Sequence, residues 1–167
     1  MTHVKWLAMI ASVSLVFAAV PSGAQQAPAA PPKYGAPITL DQAKKAMAGA
    51  EAEARKNNWN MVIVIVDSGG NLVMLERLDD AQFGSIDVAK SKAHTAVAFK
   101  RPTKVFQDLV AQGGGNLRLL KLEGASVLEG GVPILAGGAI IGAIGVSGGT
   151  SQQDAQVAQA GADALLK

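Results

Sequence analysis

His94 is the residue whose side chain offers the most chemistry in this sequence. The chain has 2 histidines and no cysteine, and the other histidine, His3, lies in an N-terminal segment that we expect to be removed. A single histidine cannot form a multi-histidine metal site, and any Ser-His-Asp triad would depend on His94 alone. This imidazole is therefore either one ligand of a bound metal cofactor or a hydrogen-bonded surface residue.

Small and basic residues surround His94 in a segment that we interpret as a helix. A flat ligand could approach this helix closely, because the side chains of Ala93, Ala96 and Ala98 are small. The nearby basic residues, which could meet the carboxylates of a ligand, are Lys90, Lys92, Lys100 and Arg101. The segment is therefore a candidate ligand-binding surface.

The remaining polar groups do not form a catalytic pattern. Asp67 and Asp79 flank a predicted hairpin, where aspartates usually bond their own backbone. Arg77 beside Asp79 or Asp80 is typical of a surface ion pair. The glycines in residues 142–148 lack the spacing of a dinucleotide fingerprint and favour close strand contacts. We therefore expect a protein that is not an enzyme.

The N-terminus has the layout of a secretory signal peptide. Lys5 precedes an apolar run over residues 6–20, and Ser22 and Ala24 supply the small residues that signal peptidase reads. The run is shorter than the roughly 20 residues that span a membrane. We expect a signal peptide over 1–24, a Pro/Ala-rich leader over 25–37 and one domain over 38–167. The mature protein would then be exported, to the periplasm or the exterior, without a membrane anchor.

The pattern of the domain predicts an α/β protein of the α+β type, in which two hairpins form an antiparallel sheet and helices pack against it. Residues 61–66 are apolar at successive positions, which indicates a central strand buried on both faces. Thr39 and Gln42 predict a capping box for the first helix, while Ser85 and Ser151 are expected to cap later helices. The predicted order is a helix over 39–56, strands over 61–66 and 72–78, helices over 85–99 and 102–110, strands over 132–135 and 139–147, and a helix over 152–166.

Several of these segments together resemble the GlcG/HbpS-like haem-binding family, which is related to the C-terminal domain of PduO-type proteins. The resemblance covers residues 38–167. The segments that carry it are Thr39-Leu40, 66–70, Arg77 with Asp79, 92–96, 130–134, 141–149 and Asp154. It implies a profilin-like sandwich that assembles into homo-oligomers, with haem as the leading ligand.

The resemblance also implies roles for particular residues. His94 would ligate the haem iron, Lys92 or a neighbouring cation would meet a propionate, and Thr95 is an alternative oxygen ligand. Arg77 joins the predicted ligand-binding set because it belongs to the matching segments. An assembly module without a cofactor remains the alternative function. Nucleic acid is not an expected partner, because the 15 basic and 13 acidic residues form no basic cluster.

Overall fold

The computed structural model describes residues 30–166 and contains one antiparallel sheet with five helices. The elements in chain order are α1 (Leu40–Lys56), β1 (Val62–Asp67), β2 (Leu72–Arg77), α2 (Ser85–Ala98), α3 (Lys104–Ala111), a 3₁₀ helix (Gly114–Lys121), β3 (Gly131–Ala136), β4 (Ala139–Ser147) and α4 (Ser151–Asp163). Among the described residues, no helix is both long enough and apolar enough to cross a membrane. The predicted signal peptide lies outside this range.

The strand order β2-β1-β4-β3 confirms an antiparallel sheet built from two hairpins. β1 is one of the two central strands and is buried on both faces, as its sequence predicts. Val62, Val64 and Val66 pack with α2 on one face, whereas Ile63 and Ile65 pack with α1 and α4 on the other. The sheet therefore lies between two helical layers, which is the form that the predicted sandwich takes.

Glycines in β3 and β4 let α2 lie directly on the sheet. A Cβ atom added to Gly145 would collide with the backbone of Ala89 and Ala93, and one added to Gly131 would collide with the carbonyl group of Lys92. These contacts confirm that the strand glycines serve close approach. The backbone of α2, and with it the segment around His94, is thereby placed against the sheet.

Two of the predicted helix caps differ from those in the structure, while that of α1 agrees. Thr39 forms the expected capping box with Gln42. The cap of α4 is Thr150 rather than Ser151, and Gln153 completes its capping box. Ser85 does not cap α2; it is the first helical residue, and its buried hydroxyl bonds that of Ser147 at 3.1 Å.

Small residues of α4 pack against α1 within the same chain. A Cβ atom added to Gly49 would lie 2.6 Å from the Cβ of Ala164 and 3.0 Å from the carbonyl oxygen of Ala160. An alanine-rich helix such as α4 also suits close contact between helices of two subunits. In the fold, these side chains instead allow close contact between α1 and α4.

Part of the predicted leader is paired with the domain. The Gly35 amide donates to the Ile140 carbonyl at 2.8 Å, and the Ile140 amide donates to the Lys33 carbonyl at 2.9 Å. The Tyr34 hydroxyl also donates to the carbonyl of Val97 at 2.9 Å. The fold therefore starts ahead of residue 38, because this segment pairs with the first residues of β4.

Candidate functional site

His94 lines a cleft of about 380 Å³ between the β1–β2 turn, α2 and the segment after the 3₁₀ helix. The lining residues are Val66, Gly70, Leu72, Lys90, Ser91, His94 and Gly124. Three parts of the chain far apart in sequence thus converge on the one histidine of the described residues. We treat this His94 cleft as the candidate functional site.

Asp67 shapes the turn that forms one wall of the cleft. Its carboxylate accepts hydrogen bonds from the amides of Gly69 at 2.8 Å and Asn71 at 2.9 Å. Partial burial alone would raise the pKa of this carboxyl, but the hydrogen bonds from Asn71, Gly69 and Gly70 outweigh it and hold the pKa below its usual value. Gly70 adopts a positive φ of 85°, which an L side chain rarely adopts, so this turn favours glycine.

The imidazole of His94 lies against this turn. A Cβ atom added to Gly70 would be 3.2 Å from Cδ2 and 3.6 Å from Nε2 of His94. The histidine is exposed, while its helix neighbours Ala93 and Ala96 are fully buried. The predicted role of those alanines therefore changes: they seat α2 on the sheet and do not line the cleft. The ring itself is open to a ligand from solvent.

Thr95 faces the protein interior and holds another wall of the cleft. Its hydroxyl donates to the Ser91 carbonyl at 2.7 Å and accepts from the Ser126 amide at 2.7 Å. The residue is fully buried. The geometry does not fit an iron ligand, because both bonds tie this oxygen to backbone groups. Instead, Thr95 fixes the segment that carries Gly124 beside α2.

Lys92 is also buried, and its ammonium group does not reach the His94 cleft. Nζ lies 2.6 Å from Oδ2 of Asp154 and 3.0 Å from the carbonyl oxygen of Val146. Oδ1 of Asp154 accepts from the Gly149 amide at 3.0 Å. The predicted contact of Lys92 with a propionate does not fit this geometry. The ion pair instead joins α2, β4 and the start of α4.

Lys90, and not Lys92 as expected from the sequence, is the lysine that lies at the His94 cleft. Lys90 lines the cleft, its side chain is 46% exposed, and its nearest acidic partner is Asp87, at 3.6 Å. So long and exposed a pair stabilises the fold little, which leaves the ammonium group free to meet a ligand. Lys90 was one of the basic residues noted near His94, but sequence alone could not separate it from Lys92.

Arg77 lies at the opposite end of β2 from Leu72 and lines a different cleft. Its guanidinium donates to the Ala81 carbonyl at 3.0 Å and lies 5.2 Å from the centroid of the Phe83 ring. The structure therefore does not bring Arg77 together with His94. The expected ion pair with Asp79 or Asp80 is also not formed within the described residues.

The His94 cleft combines one imidazole, apolar side chains and one ammonium group. Val66 and Leu72 supply the apolar surface, and Leu72 is 56% exposed. This combination suits a flat apolar ligand that carries an acidic group and can accept a nitrogen ligand. Sequence reasoning missed Leu72 and Gly124; the glycine-rich turn before Leu72 was the one available signal. Residues 30–166 contain no cluster of three His, Cys, Asp or Glu that could hold a metal ion by themselves.

The fold and this cleft define a class of small α+β proteins with a surface cleft beside the sheet. A family model described as haem degrading protein HbpS-like matches residues 38–163. The chain belongs to this HbpS-like family, as its sequence motifs predict.

Individual relatives agree with this assignment. Protein GlcG of Escherichia coli strain K12 is 40% identical over 110 residues, which cover 66% of this chain and 81% of GlcG. The crystal structure of Klebsiella pneumoniae protein ORFY is similar with a TM-score of 0.72 and 31% identity, covering 89% of this chain and 98% of ORFY. The crystal structure of a PduOC:heme complex has a TM-score of 0.69 and 29% identity, covering 77% of this chain and 94% of PduOC.

Proposed function

We propose that this protein binds haem in the His94 cleft. The observation that carries the proposal is the position of His94, whose exposed imidazole stands beside apolar side chains and the weakly paired ammonium group of Lys90. The similarity to a solved haem complex supports haem as the ligand. His94 would contribute a nitrogen ligand to the iron, Leu72 and Val66 would contact the porphyrin, and Lys90 would meet a propionate.

The residues present fit haem because each supplies one of the contacts that the cofactor requires. Haem iron takes a nitrogen ligand, the ring needs apolar contacts, and the propionates need a cation. When bound, haem would supply an iron centre that takes up ligands and exchanges electrons. The protein would hold the cofactor, with His94 binding through an imidazole nitrogen and Lys90 through a partly exposed ion pair.

We also propose that the protein is exported after cleavage at Ala24 and works as a homo-oligomer. Export is supported by the signal-type N-terminus, and self-association by leucines that remain exposed on the folded chain. Binding without catalysis is favoured because, among the described residues, no carboxylate and no second imidazole line the cleft beside His94.

The first prediction concerns His94. In a titration of ferric haem into the chain beginning at Gln25, the parent should give a saturable Soret band, and His94→Ala should shift that band. The variant should also weaken binding by roughly ten-fold or more, because an axial bond is lost. Added free imidazole should restore the parental band position.

Two matched lysine variants distinguish a specific contact in the His94 cleft from a general effect of removing a positive charge. Lys90→Ala should weaken binding by a few-fold, since an exposed ion pair contributes up to about 1 kcal/mol, while Lys121→Ala on the 3₁₀ helix should leave binding unchanged.

An unshifted band and unchanged affinity in His94→Ala would contradict the proposed ligand. A parent with no saturable change would favour the assembly module. A bound Soret band that decays with reductant and oxygen would indicate haem degradation instead of simple binding.

A further inference from the structure

A second cleft, of about 350 Å³, lies between β3, α4 and the start of α3, and contains a buried carboxylate. It is lined by Pro102, Lys104, Glu129, Gly130, Gly131, Val132, Gln152, Ala155, Gln156 and Gln159. None of these residues lines the His94 cleft. We refer to it as the Glu129 cleft.

Glu129 is only 7% exposed, yet half of its carboxylate has no protein partner. Oε2 accepts a hydrogen bond from Nε2 of Gln107 at 3.3 Å, and the Glu129 amide donates to Oε1 of Gln107 at 3.0 Å. No donor within residues 30–166 bonds the other carboxylate oxygen, and no basic nitrogen lies within 4.0 Å of it. Because no fully buried side-chain oxygen of the described residues lacks a hydrogen-bond partner, this free oxygen is open to the cleft, and it has no counter-ion within 4.0 Å.

The neighbouring lysine does not supply that counter-ion. Nζ of Lys104 lies 2.8 Å from Oδ1 of Asp108, and this bond is the main reason that the pKa of Lys104 is raised. Glu129 contributes only a weaker attraction from a distance. A cation from outside the chain can therefore approach the free oxygen of Glu129 without displacing an existing ion pair.

Two glutamines that line the cleft have their amide nitrogens bonded to carboxylates of their own or a neighbouring helix. The amide nitrogen of Gln156 already donates to Glu53 at 2.6 Å, and that of Gln159 donates to Asp163 at 2.8 Å. Their carbonyl oxygens remain as acceptors. Val132 and Ala155 add apolar surface. This pairing of acceptors with apolar walls complements a ligand that has a donor-rich head and a short hydrocarbon body.

We propose that the Glu129 cleft binds a small organic cation, namely a primary ammonium group on a short apolar chain. The ammonium group bonds the free oxygen of Glu129, and the hydrocarbon chain lies against Val132 and Ala155. An anionic ligand would meet the unpaired carboxylate and is disfavoured. The site is independent of haem binding, so either proposal can fail without the other.

The test is a titration of the chain beginning at Gln25 with n-pentylammonium, followed by two-dimensional amide NMR spectra. The amide signals of Gly130, Gly131 and Val132 should shift and saturate. Neutral 1-pentanol and anionic pentanoate, which share the hydrocarbon chain, should give no saturable shift. The same spectra show whether each variant is folded.

Two variants and one control make the result specific. Glu129→Gln keeps the shape but removes the charge, and should weaken binding by roughly ten-fold or more. Ala155→Leu should block the apolar wall with Glu129 intact, while Glu123→Gln at an exposed position should change nothing. Equal binding by Glu129→Gln, or equal binding of pentanol, would overturn the proposal. The proposal would also be overturned if pentylammonium did not bind and Glu129→Gln sedimented differently from the parent. That result would indicate that a basic side chain of a second copy of the chain occupies the cleft.

Discussion

Lys90 and Lys92 show how two identical side chains on one helix acquire different roles. They are two positions apart, which turns them about 200° from each other around the helix axis. Lys90 therefore reaches solvent at the rim of the His94 cleft, while the side chain of Lys92 is 2% exposed and meets Asp154. We expect ligand binding to depend on Lys90 and stability to depend on Lys92.

Lys92→Met tests the role of Lys92 in stability. The substitution leaves the buried carboxylate of Asp154 without a counter-ion, so the free energy of unfolding should fall by about 3–5 kcal/mol in urea denaturation. Lys90→Met is the matched control and should change it by no more than about 0.5 kcal/mol.

The double variant Lys92→Met with Asp154→Leu should recover part of that loss, because it removes both charges together. A Lys92→Met protein as stable as the parent would show that the pair is not needed for the fold. Recovery is expected to be incomplete, since Asp154 also accepts a hydrogen bond from the Gly149 amide.

At the scale of elements, the β1–β2 turn links stability to pH. The pKa of Asp67 is lowered in the folded protein, so its contribution to stability is present above its unfolded pKa and is lost as the pH falls through the folded value. Asp67→Ala should lower the free energy of unfolding by about 1–2 kcal/mol at neutral pH, because the turn hydrogen bonds are lost.

The difference in stability between Asp67→Ala and the parent should begin to shrink below about pH 4, the usual aspartate pKa that applies to the unfolded chain, and should keep shrinking as the pH falls through the lowered pKa of the folded protein. Denaturation curves between pH 7 and strongly acidic buffer measure this directly. Glu123→Ala, at an exposed position outside the helices and strands, is the control. A difference that stayed constant with pH would show that Asp67 acts through its shape and not its charge.

At the scale of the whole molecule, exposed leucines indicate a surface for self-association. Leu117 and Leu120 of the 3₁₀ helix are 48% and 58% exposed. Residues three apart lie on the same side of a 3₁₀ helix, so these two form one apolar face. Adjacent apolar side chains of this kind are typical of protein interfaces.

Sedimentation velocity at micromolar concentration should therefore give a mass of at least a dimer for the chain beginning at Gln25. Combining Leu117→Lys with Leu120→Lys should shift it toward the monomer, because charges would be placed in the apolar face. Leu40→Lys, at an exposed position that begins α1, should leave the mass unchanged. A monomeric parent would contradict the proposed homo-oligomer.

Local sequence determined the elements and the family of this protein. The capping box of Thr39 and Gln42 and the apolar run of β1 act over a few residues, and both were predicted correctly. The start of α4 was missed by one residue because Thr150 and Ser151 are both good caps. Near this helix start, the side chain of Asp154 is held by Lys92 and by the Gly149 amide. These contacts form only when the chain is folded.

The site was decided by tertiary structure. His94, Lys92 and Thr95 are close in sequence, but the helix places Lys92 and Thr95 on one side and His94 on another, and only the packing of α2 on β4 determines which side is buried. That packing directs Lys92 toward Asp154 and Thr95 toward Ser126, and leaves His94 and Lys90 at the surface. Leu72 and Gly124 join them through contacts between distant segments, which no local pattern in the sequence encodes.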